Sequence, residues 1–345
     1  MTSTAKFCMF YRPGRSAVVA VFVAALVAGS LPAAENSPSA AAPLPALPEP
    51  ISSFGAAVSG DWVYVYSGHT GEAHSHSKKN LSQSFLRLNL AQPTKWEQLP
   101  MGPGLQGLAV VAHDGAIYRV GGLSAKNEPG EPSDLVSLVE FAKFDTAAKS
   151  WAPLEALPEG RSSHDAVAAD GKIFVVGGWT LGGEEENWLK HSLAYDVKSG
   201  KWSKLPEQPF QRRALAAAYH DGKVFAIGGM SPKGPSLDVH YFDVAAGKWS
   251  AGPSVPEGEQ TSVMNGFGCS AYAVGGRLYL STMDGVVHAL SADGKAWETV
   301  GKLPLGRFFH RMLPHGDREL LIIAGASKQG HLATIERFTL PQSGE

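Results

Sequence analysis

The chain has 345 residues, 44% of them hydrophobic and 18% charged, a globular composition large enough for one big domain or two medium ones. A formal net charge of −2 excludes a general attraction to nucleic acid or to anionic membranes. The 39 Gly and 23 Pro imply many turns, and so many short strands.

Residues 1–33 read as an export signal. Lys6, Arg12 and Arg15 precede the apolar run Ser16–Gly29, and small residues follow, with cleavage expected after Ser30, Ala33 or Ala34. The run is short for a membrane span, an uncleaved anchor being the alternative. Cys8 lies ahead of the run, where it makes no lipoprotein site, and there is no twin-arginine pair. Removal of this segment leaves 27 basic against 32 acidic residues, a net charge of −5. It also leaves one cysteine, Cys269, so no internal disulfide is expected; in its apolar stretch it reads as a small buried hydrophobe. Residues 34–41 read as a linker.

A unit of about fifty residues then recurs. A small-residue strand, a turn and a β-branched or aromatic strand end in a glycine pair: Leu108–Gly122, His164–Gly178 and Leu215–Gly229. Asp-Gly at 114–115, 170–171 and 221–222 signals tight hairpins. Six pairs mark the ends of second strands: Ser67-Gly68, Gly121-Gly122, Gly177-Gly178, Gly228-Gly229, Ser281-Thr282 and Ala324-Gly325. Later in each unit a tryptophan follows (Trp96, Trp151, Trp202, Trp249, Trp297), then a Leu-Pro or Val-Pro step. A tryptophan on an outer strand can fill the wedge between neighbouring sheets.

These features resemble the Kelch repeat over residues 42–341. The resemblance implies an all-β fold, a six-bladed Kelch-type β-propeller. Its blades fall at about 52–100, 104–158, 161–206, 212–256, 266–304 and 307–341, with a tail at 342–345. Repeats five and six depart from the pattern: Ser281-Thr282 replaces the glycine pair, and the sixth lacks a tryptophan. The sixth repeat also ends after its third strand. The N-terminal stretch supplies an explanation. Shifted by 110 positions, Pro43, Leu44 and Leu47-Pro48 fall on Pro153, Leu154 and Leu157-Pro158, and Gly68 falls on Gly178. Residues 42–48 are therefore expected to form the closing strand of blade six.

Long, variable loops between second and third strands share a face with the start of each first strand, where binding sites usually lie. Arg161, Arg212 and Arg307 occupy one repeat position on that face, with Arg213 and Arg311 nearby and His164 and His310 three residues after their arginines. First strands line a propeller's channel, so these groups are expected near its mouth. There they either bind an acidic ligand or hold loop carbonyls. The loop with His69, His74 and His76 is read as solvated rather than metal-binding, since Lys78 and Lys79 follow. The acidic loop 182–187 is flanked by Trp179 and Trp188, which can stack on sugars or plug a blade.

No catalytic motif appears, and no cofactor or metal is expected. The leading expectation is a monomeric exported module that binds a protein or glycan, without nucleic acid or a membrane span. The alternative rests on a distant similarity to exported sialic-acid mutarotases. It implies that Arg161, Arg212 or Arg307 would hold a carboxylate and His164 or His310 would move a proton. Galactose oxidase-like copper enzymes share the propeller type, but no matching ligand set is present.

Overall fold

The computed structural model describes residues 43–183, 187–258 and 264–341. The expected export signal and linker, residue 42, the centre of the acidic loop and the expected tail lie outside the described residues. Among those described there is no α-helix, and no helix is long and apolar enough to cross a membrane.

Six antiparallel sheets make the six blades of a β-propeller. Five have four strands and the sixth has three. In each, the first strand faces the central axis and pairs outward with the second, as Asp165–Ala169 pairs with Lys172–Val176. The expected hairpins form: Asp114, Asp170 and Asp221 have φ of 47°, 52° and 48°, and each following glycine is also left-handed. That is the turn whose twist matches the flanking strands.

The apolar core is divided among the six seams between blades. One cluster joins Leu193 and Val175 of blade three to Tyr118 and Phe141 of blade two, and an equivalent cluster fills every other seam. Each tryptophan bridges a seam by donating its indole N–H to a carbonyl on the outer edge of the preceding blade. Trp151 reaches Pro100 (2.9 Å), Trp202 reaches Glu155 (2.8 Å), Trp249 reaches Pro206 (3.0 Å) and Trp297 reaches Pro253 (2.9 Å).

Trp96 makes the same contact with Pro45 (3.1 Å), which puts the N-terminal stretch in the place of blade six's outer strand. The expected closing strand is in place but irregular. Leu47 N–H donates to the Ala333 carbonyl (2.8 Å) and Ile51 bridges Leu332, yet residues 43–50 form no ladder. Pro43, Pro45, Pro48 and Pro50 have no N–H to give to a ladder, and the matching residues 154–160 of blade two likewise lie beyond the strand Ser150–Pro153. The stretch is a strap, fastened by buried Leu44 and Leu47 and by Glu49, which accepts from the hydroxyls of Ser82 (2.5 Å) and Ser84 (3.2 Å).

A second closure lies at the hub. Just before each first strand sits a left-handed residue: Ser53, Gly107, Ser163, Ala214, Gly268 and Phe309. Each donates its N–H to the carbonyl of its counterpart in the preceding blade, at 2.7–3.1 Å, and Ser53 donates to Phe309. The six bonds make an unbroken cycle around the axis. Four of these residues are not glycine, so the cycle offsets a backbone conformation that costs roughly 1 kcal/mol per residue.

The loops on this face are unequal. Residues 67–84, 121–140 and 177–192 connect second and third strands in blades one to three; the corresponding connections 228–238, 282–285 and 324–334 of blades four to six are shorter.

Candidate functional site

Arg161, Arg212 and Arg307 do not meet at the mouth. They lie two residues before the hub and are 0%, 1% and 0% exposed. Their guanidiniums run outward along the blade to the ends of the second and third strands. Arg161 donates to the carbonyls of Gly177 (2.7 Å) and His191 (3.1 Å) and pairs with Glu159 (3.2 Å). Arg212 reaches Gly228 O (2.7 Å) and Asp238 O; Arg307 reaches Ala324 O (3.3 Å) and pairs with Glu336. Burial lowers the pKa of Arg161 and Arg212 to about 10, which keeps both charged at neutral pH. Of the two uses expected for this position, the geometry is that of a carbonyl clamp. Replacing Arg161 by Met leaves two buried carbonyls without their donor. It should lower stability by about 3 kcal/mol while leaving ligand binding unchanged. Lost binding at an unchanged melting temperature would reverse this assignment.

His164 and His310 are 4% and 2% exposed, packed against the glycines that end the second strands. His164 faces the Val120 carbonyl; neither ring nitrogen of His310 is hydrogen-bonded among the described residues. Burial first, then the charges of Arg161 and Arg311, hold His164 well below its usual pKa. Burial, then Arg307 and Arg311, lowers His310 to about 3. Both are neutral packing groups with no surface for a ligand to touch, which removes the contact that proton transfer to a sugar requires.

Arg213 and Trp179 do come together. The Arg213 guanidinium lies 4.1 Å from the Trp179 ring centroid and 5.5 Å from that of Trp188, whose ring is 5.8 Å from Trp179. Beside it the hub carries three half-exposed phenylalanines that the sequence reading missed. Phe267 and Phe309 meet edge-on at 4.9 Å, Phe308 and Phe309 lie at 5.0 Å, and Phe267 and Phe308 at 6.2 Å. At the position just before the hub, blades one to three bury Ser52, Gln106 and Ser162, whereas blades four to six present Arg213, Phe267 and Phe308. Around the hub the mouth is therefore polar on one half and aromatic on the other. Aromatic surface rimmed by polar loops is what recognition surfaces offer.

The other candidates lie elsewhere. His69 is buried and donates to the Ser75 carbonyl (2.8 Å), and His76 accepts from Gln106 (3.0 Å), so both hold the loop of blade one in shape. Among the described residues no group of three or more His, Cys, Asp or Glu is placed to hold a metal. Cys269 is buried, and burial raises its thiol to about 12, an inert state.

Below the hub, Arg311 crosses the axis. Its Nη1 pairs with Asp165 Oδ1 of the opposite blade (2.7 Å), Nε donates to Phe54 O (3.1 Å) and Nη2 to Leu108 O (3.1 Å); Asp165 Oδ2 accepts from Ala217 N–H (2.9 Å). Among the named arginines, Arg311 alone lines the central cavity.

Residues 107–326 match the KLHDC2/KLHL20/DRC7 Kelch-repeats domain. Kelch-like protein 40 of Mus musculus is 25% identical over 193 residues, 54% of this chain and 30% of that protein. Kelch-like protein terF of Aspergillus terreus is 24% identical over 262 residues, 72% of this chain and 56% of that protein. The chain thus spans from under a third to just over half the length of these relatives. The solved structure of YjhT shares the fold, with a TM-score of 0.69 at 20% identity, covering 88% of this chain and 98% of that one. Repeat, blade architecture and sequence profile agree: the chain belongs to the Kelch-repeat propeller family.

Proposed function

We propose that this propeller is an exported, non-catalytic binding module that takes a protein segment on the aromatic half of its loop face. The observation that carries the reading is the cluster of Phe267, Phe308 and Phe309, half-exposed beside the Arg213–Trp179 stack. Three rings held against one another offer a rigid apolar anchor site at little entropic cost.

The test is selection of a displayed peptide library on the whole protein. Enriched sequences should carry an aromatic or aliphatic anchor. Phe267→Ser and Phe308→Ser should each weaken their binding about tenfold or more. Enrichment that survives both phenylalanine changes would place the ligand elsewhere. Export is checked separately, by N-terminal sequencing of protein recovered outside the cytoplasm. A sequence beginning between Leu31 and Glu35 is expected, and protein retained inside with Thr2 present would refute it.

A further inference from the structure

We propose that the central cavity is a second ligand site, distinct from the loop face, for an uncharged hydroxyl-bearing molecule about the size of one sugar ring. The cavity measures about 280 Å³ and is lined by the first strands of all six blades. At the loop face the hub cycle encircles the axis and the Arg311–Asp165 pair crosses it. The other end is more open. Along the first strands Ala56, Ala109, Ala216 and Ser270 near the hub are buried, whereas Val58, Ala112, Ala168 and Ala273 near the hairpins are half-exposed and Tyr272 is 36% exposed.

The lining states what fits. An innermost strand has no neighbour on its axial side, so its backbone N–H and C=O groups face the cavity as donors and acceptors. Side chains take some of them, as Asp165 takes Ala217 N–H and Ser270 Oγ accepts from Met312 N–H (2.9 Å). The rest suit a ligand with several hydroxyls. At the floor, Arg311 uses one N–H from each nitrogen in the contacts described, and two remain; each Asp165 oxygen accepts one bond and has a further lone pair. Donor and acceptor side by side match adjacent hydroxyls. The pair is neutral overall, and no other charged side chain among the described residues lines the cavity. A charged ligand would thus lose its hydration without gaining a counter-ion. At the open end Tyr219 and Tyr272 of neighbouring blades supply aromatic surface for a sugar's C–H face.

Glucose, galactose, N-acetylglucosamine and glucuronate are titrated against the whole protein by saturation-transfer NMR and calorimetry. At least one neutral sugar should bind saturably, with glucuronate weaker. Ala273→Leu, which fills the open end, and Tyr272→Ala should each weaken it about tenfold or more, while Phe308→Ser leaves it unchanged. Should the leucine variant fail to fold, the exposed Tyr272 carries the test. Absence of saturable binding by any neutral sugar overturns the proposal, as does affinity indifferent to Tyr272→Ala, tighter binding of glucuronate, or loss of sugar binding in Phe308→Ser. Only the last result bears on the loop-face reading.

Discussion

A chain starting at Ile51 should melt about 10 °C below one starting at Ser39, with a greater tendency to aggregate. The shorter chain lacks Leu44 and Leu47, 7% and 5% exposed, whose burial contributes roughly 1.5–3 kcal/mol each. It also lacks the Pro45 carbonyl that Trp96 uses and the Glu49 carboxylate that holds Ser82 and Ser84. Together these losses come to about 5 kcal/mol, near 2 °C for each kcal/mol in a domain of this size. The Ala333 carbonyl loses its bond from Leu47 N–H as well, and the apolar seam exposed beneath the missing strap invites association with another molecule. Calorimetry and light scattering on the two chains decide the matter, and coincident melting would return residues 43–50 to the status of a spacer.

Replacing His164 and His310 together by Leu should make the protein markedly more resistant to acid. Both imidazoles stay neutral in the fold, well below the ordinary value, whereas in the unfolded chain they titrate near 6.5. The folded pKa is depressed, so below about pH 6.5 the unfolded state takes up protons that the fold refuses. Stability then falls by about 1.4 kcal/mol per pH unit for each histidine, in His310 until its folded value of about 3 is reached. Between pH 6.5 and 4.5 the double variant should keep about 2 kcal/mol that the parent loses through His310 alone, with a further contribution from His164. Leucine fits because equivalent positions in other blades hold Phe54, Leu108 and Leu215. Urea midpoints at pH 7 and 4.5 give the comparison; parallel pH profiles would mean that neither histidine is kept neutral by the fold.

The fold was legible because its determinants repeat in register. A glycine pair, a tryptophan and a Leu-Pro step perform the same task in successive blades, so the chain is its own alignment. The strap was visible by the same offset, although residues 43–50 form no strand and match the stretch after the outer strand of blade two rather than that strand itself. The site was much less so. Arg161, Arg212 and Arg307 form a visible row, but a row says nothing of direction, and their side chains run outward into the blade. Asp165 and Arg311 are 146 positions apart and meet only because opposite blades face one axis. The hub residues Ser53, Gly107, Ser163, Ala214, Gly268 and Phe309 share a backbone conformation and no side-chain chemistry, so no motif marks them. Phe308 and Phe309 stood between an arginine and a histidine that drew the attention instead.

The hub cycle has a consequence for how the chain is strung. Every blade gives one hydrogen bond and receives one, so no blade is first or last at the axis. Among the described residues the strap marks where the chain joins the ring. The wheel could accordingly be opened at a hairpin such as Asp221-Gly222, with Leu340 spliced back to the strap, and keep the same spokes. Order of translation is then a contingent property of this molecule, and its geometry is that of a circle.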